Sequence, residues 1–474
     1  MPIPRLATLI ITFVLAATPA AAAGPPRGSE ELRPQDGRVY LPAGNGEFAA
    51  LAHAPATFRF GGVLHGAVYE IEVPRERWNG VLVMWAHGYA GSDPQLGVDE
   101  PPIRRHLIEH GYAWAASSFS HNGYDVRSGI EDTNDLELSF VQLAREHHVT
   151  LPAPRRAFIA GGSMGGHIAA AAIERETLGD ALHKVHYAGA LPLCGTLADT
   201  AIADYFAAYH LAAFAVAGVP APAYPIADWR SRQQAVRSRL WREFPAVVTG
   251  RGERFRAILM NLTGGTRPFF AEGFADPGVQ ELLWAKGDRD GTLNGILNGS
   301  VADTRAVVYR FETSGGPLSA EEQSFNARIG RAVPVTDANR RRRDGLRWVP
   351  QIQGDFDVPV ITLHALGDLY VPVRFEQIYR ERASAHGREK FLVQRLVRAA
   401  AHCGVTPLEA AAAFDDLVAW ADGAPKPAGD DVLSAAALAA PDAGCRFTRN
   451  DPAAPGNAAR LAAQSHYPAC PGPR

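Results

Sequence analysis

The chain has no marked excess of either charge, few cysteines, no internal repeat and, beyond its first residues, no long apolar run. Its 47 Lys and Arg against 50 Asp and Glu leave a formal net charge of −3, which gives no electrostatic ground for nucleic acid or an anionic membrane surface as partner. No segment after the N-terminus offers the roughly 20 uninterrupted apolar residues that a bilayer-spanning helix requires. No integral membrane segment is therefore expected in the mature chain. The absence of a fixed repeat argues against a stacked array. Asp288-Arg289-Asp290-Gly291 comes nearest to a calcium loop but lacks the spacing and closing glutamate of one, so neither metal nor cofactor is expected.

What is present suits a large core. The chain has 474 residues, 47% hydrophobic and 20% charged, enough for one elaborated domain or two smaller ones. Met1 to Arg5, the apolar run Leu6 to Ala17 and the small residues Pro19 to Ala23 have the three parts of a secretory signal. Residues 1–23 are accordingly expected to be removed, and the mature chain to be secreted or periplasmic. Cys194, Cys403, Cys445 and Cys470 would then meet an oxidising compartment, where two disulfides are expected among three possible pairings. Cys445 and Cys470 share an irregular Pro- and Ala-rich tail in which a staple would stabilise most. That choice leaves Cys194 with Cys403.

The remainder divides into a loose lead-in (24–57), a first core segment (58–197), an insertion read as a cap (198–356), a second core segment (357–423) and the tail (424–474). Phe58 to Val73 has the content of paired strands. Val81 to Trp85, Tyr112 to Ala116, Ala157 to Ala160, Tyr187 to Leu193, Val358 to Leu363 and Phe391 to Val397 are apolar runs suited to strands buried on both faces. Ile130 to His148 and Ile168 to Thr177 read as helices between them. Strands alternating with helices predict an α/β fold with a mostly parallel central sheet and helices on both faces. The interval from Cys194 to Asp357 is too long for a crossover. Its helical stretch Tyr205 to Val216 and its aromatic residues suit a folded insert over the carboxyl edge of the sheet.

Gly161-Gly162-Ser163-Met164-Gly165 fits G-x-S-x-G and falls where a strand gives way to a helix, a setting that lifts a serine hydroxyl clear of the backbone. A serine is a weak nucleophile at neutral pH and needs a histidine base with a carboxylate to orient it. Asp368 follows the Val358 to Leu363 strand and His402 follows the Phe391 to Val397 strand, giving the order Ser, Asp, His. Asp355 and Asp357 precede their strand, at the far edge from Ser163, and read as structural. Thr406-Pro407-Leu408-Glu409 reads as a capping box that starts a helix just after His402. The oxyanion of an attacked carbonyl would be met by the N–H groups of Met164 and Tyr89, with His87 and Gly88 shaping the Tyr89 loop and Gly161 and Gly165 the serine turn. His167 reads as a packing residue and Arg340 to Arg343 as a solvated face.

This set of Ser163, Asp368, His402 and His87-Gly88 resembles the α/β-hydrolase superfamily over roughly Phe58 to Gly423, the insert aside. Within it the chain is similar to secreted bacterial serine esterases, including those acting on polyesters or plant phenolic esters. His402-Cys403 resembles tannase and feruloyl esterase relatives, in which a cysteine beside the histidine bonds one beside the serine. Gly162 holds that second position here. The resemblance therefore implies a Cys403 bond to Cys194, at the end of the neighbouring strand. The expected activity is hydrolysis of a small-molecule or oligomeric ester through an acyl-enzyme. A serine peptidase of the same fold and a non-catalytic binding protein on a hydrolase scaffold are the alternatives.

Overall fold

Eight strands join into one sheet: β1 (Thr57–Leu64), β2 (Ala67–Pro74), β3 (Val81–Ala86), β4 (Ala113–Ser117), β5 (Arg156–Gly162), β6 (Ala190–Leu193), β7 (Val360–Ala365) and β8 (Leu392–Val397). Their spatial order is β8-β7-β6-β5-β3-β4-β2-β1. The β1–β2 and β2–β4 pairs are antiparallel and the rest parallel. The computed structural model describes residues 38–470 except 45, 221–222, 288–295, 298, 313–314 and 455. The expected signal and Asp288–Gly291 lie outside the described residues, whereas those described all fall in one unit, Arg33–Arg474.

The central strands are apolar throughout because helices cover both faces. Leu82, Met84 and Ala86 point into one core, shared with α2 (Val126–Glu146) and α3 (Met164–Ala172). Val81, Val83 and Trp85 point into another, shared with the α1 helix (Arg104–Glu109). Strict alternation of side-chain direction along a strand lets one run of six apolar residues serve two cores.

Several boundaries differ from the sequence pattern for identifiable reasons. The α2 helix starts four residues before Ile130, where the Asp125 side chain accepts from the Ser128 N–H at 3.1 Å and caps it. The expected helix Ile168 to Thr177 is broken after Ala172. Extended backbone at Glu174 turns its carboxylate to accept from the N–H groups of Gly354 and Asp355 at 2.8 and 3.0 Å, and a separate helix follows at Arg175–Asp180. The sixth strand is shorter than Tyr187 to Leu193, since the Tyr187 side chain leaves the sheet to donate to Asn134 Oδ1 at 2.7 Å.

Between β6 and β7 come α4 (Ala201–Ala217), α5 (Trp229–Leu240), α6 (Gly250–Leu262) and α7 (Pro277–Trp284). Here the aromatic residues pack on one another and continue the core that Leu82, Met84 and Ala86 share with α2 and α3: Trp229 stacks on Trp284 with centroids 5.1 Å apart, and Tyr209, Trp241 and Phe255 pack around them. Arg340 to Arg343 are not a uniformly solvated face. Arg342 is buried, 3.8 Å above the Trp348 ring and paired with Asp344, because a guanidinium can stack and bridge at once.

After β7 and β8 come α8 (Arg374–Ala385) and α9 (Pro407–Ala421), the latter with β8's neighbours on the second core. Cys194 is bonded to Cys403 and Cys445 to Cys470. The tail is tied down further by the buried Arg398 guanidinium, which donates to the carbonyls of Pro441, Ala443 and Pro468. Tyr467 accepts from the Phe269 N–H at 2.9 Å and donates to Glu272 at 2.7 Å. Among the described residues no helix is long and apolar enough to cross a membrane.

Candidate active site

Strand β5 ends at Gly162 and α3 begins at Met164, which leaves Ser163 between them at φ 57°, ψ −117°. Positive φ on a side-chain-bearing residue costs energy and persists only where its surroundings enforce it. Two glycines make the turn possible. A Cβ on Gly161 would lie 2.2 Å from the Gly165 carbonyl oxygen, and one on Gly165 only 1.9 Å from that of Ala86 at the end of β3. The Ser163 N–H donates to the Leu193 carbonyl at 2.9 Å, fastening the turn to β6.

Three loops at the carboxyl ends of parallel strands bring distant residues together. The Ser163 Oγ lies 2.9 Å from His402 Nε2, and His402 Nδ1 lies 2.6 Å from Asp368 Oδ2. A carboxylate facing Nδ1 fixes the proton there and leaves Nε2 as the acceptor for the serine hydroxyl. Asp368 is fully buried, and its Oδ1 accepts from the N–H groups of Tyr370 and Val371 at 2.9 and 3.0 Å. Burial alone would raise its pKa, but His402, the nearby His364 and the Val371 N–H together hold it below the ordinary carboxylate value. Asp355 and Asp357 stand before β7 and pair with Arg175 and Arg388.

His402 sits on the loop after β8, and the next residue is bonded to Cys194 at the end of β6. Four residues on, Thr406 accepts from the Glu409 N–H while Glu409 accepts from the Thr406 N–H, closing the capping box of α9. On the other side, Gly88 passes the serine closely, a Cβ there lying 3.4 Å from Ser163 Cβ. The His87 ring holds this loop: its nitrogens lie 2.7 and 3.1 Å from the carbonyl oxygens of Gly88 and Ser118, and it stacks on Phe119. The buried His167 ring is committed to packing partners, accepting from the Tyr124 hydroxyl at 3.0 Å and donating to the Pro350 carbonyl at 2.8 Å.

Ser163 opens into a narrow pocket of about 20 Å³, lined also by Tyr89, Tyr124, Thr196, Ile202, Phe206, Lys286, Tyr370 and Val371. Several supporting residues have no signature in the sequence pattern. The Tyr205 hydroxyl donates to the Leu369 carbonyl at 2.6 Å, and the buried Arg267 donates to that of Leu366 at 2.6 Å. Both reach the aspartate loop from the insert. From within the sheet, His364 Nε2 donates to the Val371 carbonyl at 2.8 Å. Only the tertiary fold could reveal them, because nothing local distinguishes a tyrosine or arginine that braces a loop far along the chain.

A mostly parallel eight-stranded sheet with an antiparallel N-terminal edge, helices on both faces and the serine turn after its fifth strand is the α/β-hydrolase fold. No protein-family model matches the chain. Over 122 residues it is 25% identical to the o-phthalyl amidase of Xanthobacter agilis, a stretch that spans 26% of this chain and about a quarter of that protein. Among solved structures it is similar to feruloyl esterase B of Aspergillus oryzae, at 12% identity over 83% of this chain and 87% of that one, with a TM-score of 0.43. It is also similar to the Pyrococcus horikoshii acylaminoacyl peptidase, at 11% identity over 80% of this chain and 44% of that one, with a TM-score of 0.38.

Proposed function

We propose that the chain is an exported serine hydrolase that cleaves carboxylic esters, with residues 198–356 acting as a cap and 424–474 as a stapled tail. The observation that carries this reading is the continuous contact from the Ser163 hydroxyl through His402 to the buried Asp368 carboxylate. In the first half-reaction Ser163 Oγ bonds to the ester carbonyl carbon as His402 Nε2 takes its proton. The oxyanion is met by the Met164 and Tyr89 N–H groups, and the alcohol leaves with the proton returned by His402. Water, deprotonated by the same histidine, then attacks the acyl-serine, releasing the carboxylic acid and restoring the hydroxyl. Asp368 stays ionised and supports the imidazolium formed at each step. Two disulfides support export to an oxidising compartment.

Hydrolysis of a panel of short and long acyl esters, a feruloyl ester, hydroxyalkanoate oligomers and peptide amides tests the reading, each substrate run beside Ser163→Ala. Ester turnover lost by on the order of 10⁴- to 10⁶-fold in that folded variant is expected, together with fluorophosphonate labelling of the parent at Ser163. Turnover of peptide amides alone would replace the esterase reading with a peptidase, and full activity in Ser163→Ala would end the assignment.

A further inference from the structure

His364, near the end of β7, is fully buried beneath the loop that carries Asp368. Its two ring nitrogens face different acceptors. Nε2 lies 2.8 Å from the Val371 carbonyl oxygen, and Nδ1 lies 3.5 Å from Glu376 Oε1 on α8. A carbonyl only accepts, so Nε2 carries a proton. Glu376 is buried as well, and its other carboxylate oxygen accepts from the Thr362 hydroxyl at 2.6 Å and from the Gln394 side-chain amide. Two donors on that oxygen favour the ionised carboxylate. Among the described residues, neither His364 Nδ1 nor Glu376 Oε1 has a hydrogen-bond partner elsewhere. A second ring proton, on Nδ1, satisfies both atoms and makes the ring a cation. Burial alone would lower the His364 pKa, but the Glu376 and Asp368 carboxylates and the Val371 carbonyl hold it above the ordinary histidine value.

Val371 links this pair to the reacting centre. Its carbonyl accepts from His364 and its N–H donates to Asp368 Oδ1 at 3.0 Å, while Asp368 Oδ2 lies 2.6 Å from His402 Nδ1. Charge thus alternates from Glu376 to His364 to Asp368 and on to the imidazolium that His402 becomes. A fully buried carboxylate with too little positive charge nearby takes up a proton instead. The other ionisable groups around the cluster come from two elements. Arg267 acts on Asp368 from the insert, and Arg380 acts on Glu376 from α8. Burial pushes the Tyr205 and Tyr379 phenols up, so both stay uncharged.

We propose that His364 is a positioning residue of the reaction: a buried imidazolium paired with Glu376, whose charge keeps Asp368 ionised and whose Nε2–H pins the loop that aims Asp368 at His402. The proposal rests on the serine hydrolase reading above. His364 acts on the aspartate rather than on the substrate, so its loss alters how the Asp368–His402 pair holds protons and removes no reacting atom.

The test follows the rate of fluorophosphonate labelling of Ser163 against pH in the full chain, His364→Gln, Glu376→Gln and the double variant, each established as folded by circular dichroism. Removing the nearby cation makes proton uptake by the Asp368–His402 pair easier. In His364→Gln the acid limb of the profile should therefore move to higher pH by about half a unit to one unit, a change that a purely structural role would not produce. Glu376→Gln removes the anion that holds the second ring proton and should move the limb in the same direction. The double variant should shift it no further than the larger single change, because the two residues act as one unit. Nitrogen NMR of the histidine-labelled parent, with the His364 signal assigned by its loss in His364→Gln, should show both ring nitrogens protonated at pH 7. An unmoved limb, or a neutral His364 ring in a parent that labels, would overturn this proposal alone. A parent that takes no label would end the hydrolase reading, and His364's part in it, whatever the state of the ring.

Discussion

Asp368 shows how one side chain can be committed in every direction. One oxygen accepts two backbone N–H groups and the other faces His402 Nδ1. In Asp368→Asn the amide oxygen can keep the backbone partners, but its NH₂ then faces Nδ1 and favours the wrong imidazole tautomer, with the proton on Nε2 toward Ser163. A fall in kcat of about 10³- to 10⁴-fold is expected with the fold retained, measured on whichever ester the panel identifies. The same carboxyl carries a pH signature. Its pKa is held below the ordinary 3.8, so its contribution to stability is present above that value and is lost as pH falls through the lower folded value. Urea denaturation at pH 7 and at successively lower pH should show Asp368→Asn losing less stability on acidification than the parent; equal slopes would count against a depressed pKa.

The serine turn is an element whose geometry is legible in the amino-acid sequence, because glycine spacing is a local property. The apolar runs likewise mark the parallel strands, since a strand buried on both faces needs no alternation of polarity. Boundaries are legible only where a capping residue announces itself: Thr406 and Glu409 mark the start of α9 as a pair, whereas Asp125 ahead of α2 has no glutamate to complete a box and is one acidic residue among many. Tyr205 and Arg267 cannot be read at all, because their bonds to the Asp368 loop join segments far apart in sequence. The turn itself yields a firm expectation. Gly165→Ala places a methyl 1.9 Å from the Ala86 carbonyl oxygen, a clash with backbone that no rotamer relieves. Destabilisation of about 1–3 kcal/mol is expected, with loss of fluorophosphonate labelling. A Tm and a labelling rate like the parent's would show that β3 and the turn can part without cost.

At the scale of the whole molecule, the two disulfides do different work. Cys194 and Cys403 are 209 residues apart and Cys445 and Cys470 only 25. Loop-closure entropy therefore assigns the first about 5 kcal/mol and the second about 3.5 kcal/mol of constraint on the unfolded chain. Only the first also joins the histidine loop to the sheet beside the serine turn. The double variant Cys194→Ser/Cys403→Ser should lose both stability and kcat, and Cys445→Ser/Cys470→Ser mainly stability. Comparable kcat in the two would show that the His402 loop keeps its place unaided. The tail reaches further than its own staple. Arg460 pairs with Glu409, the carboxylate of the α9 capping box, and Tyr467 grips Phe269 and Glu272 in the insert. During translation these residues leave the ribosome after every strand of the sheet, so a nascent chain that already carries Ser163, Asp368 and His402 still lacks the segment that holds Glu409 and the stretch from Phe269 to Glu272.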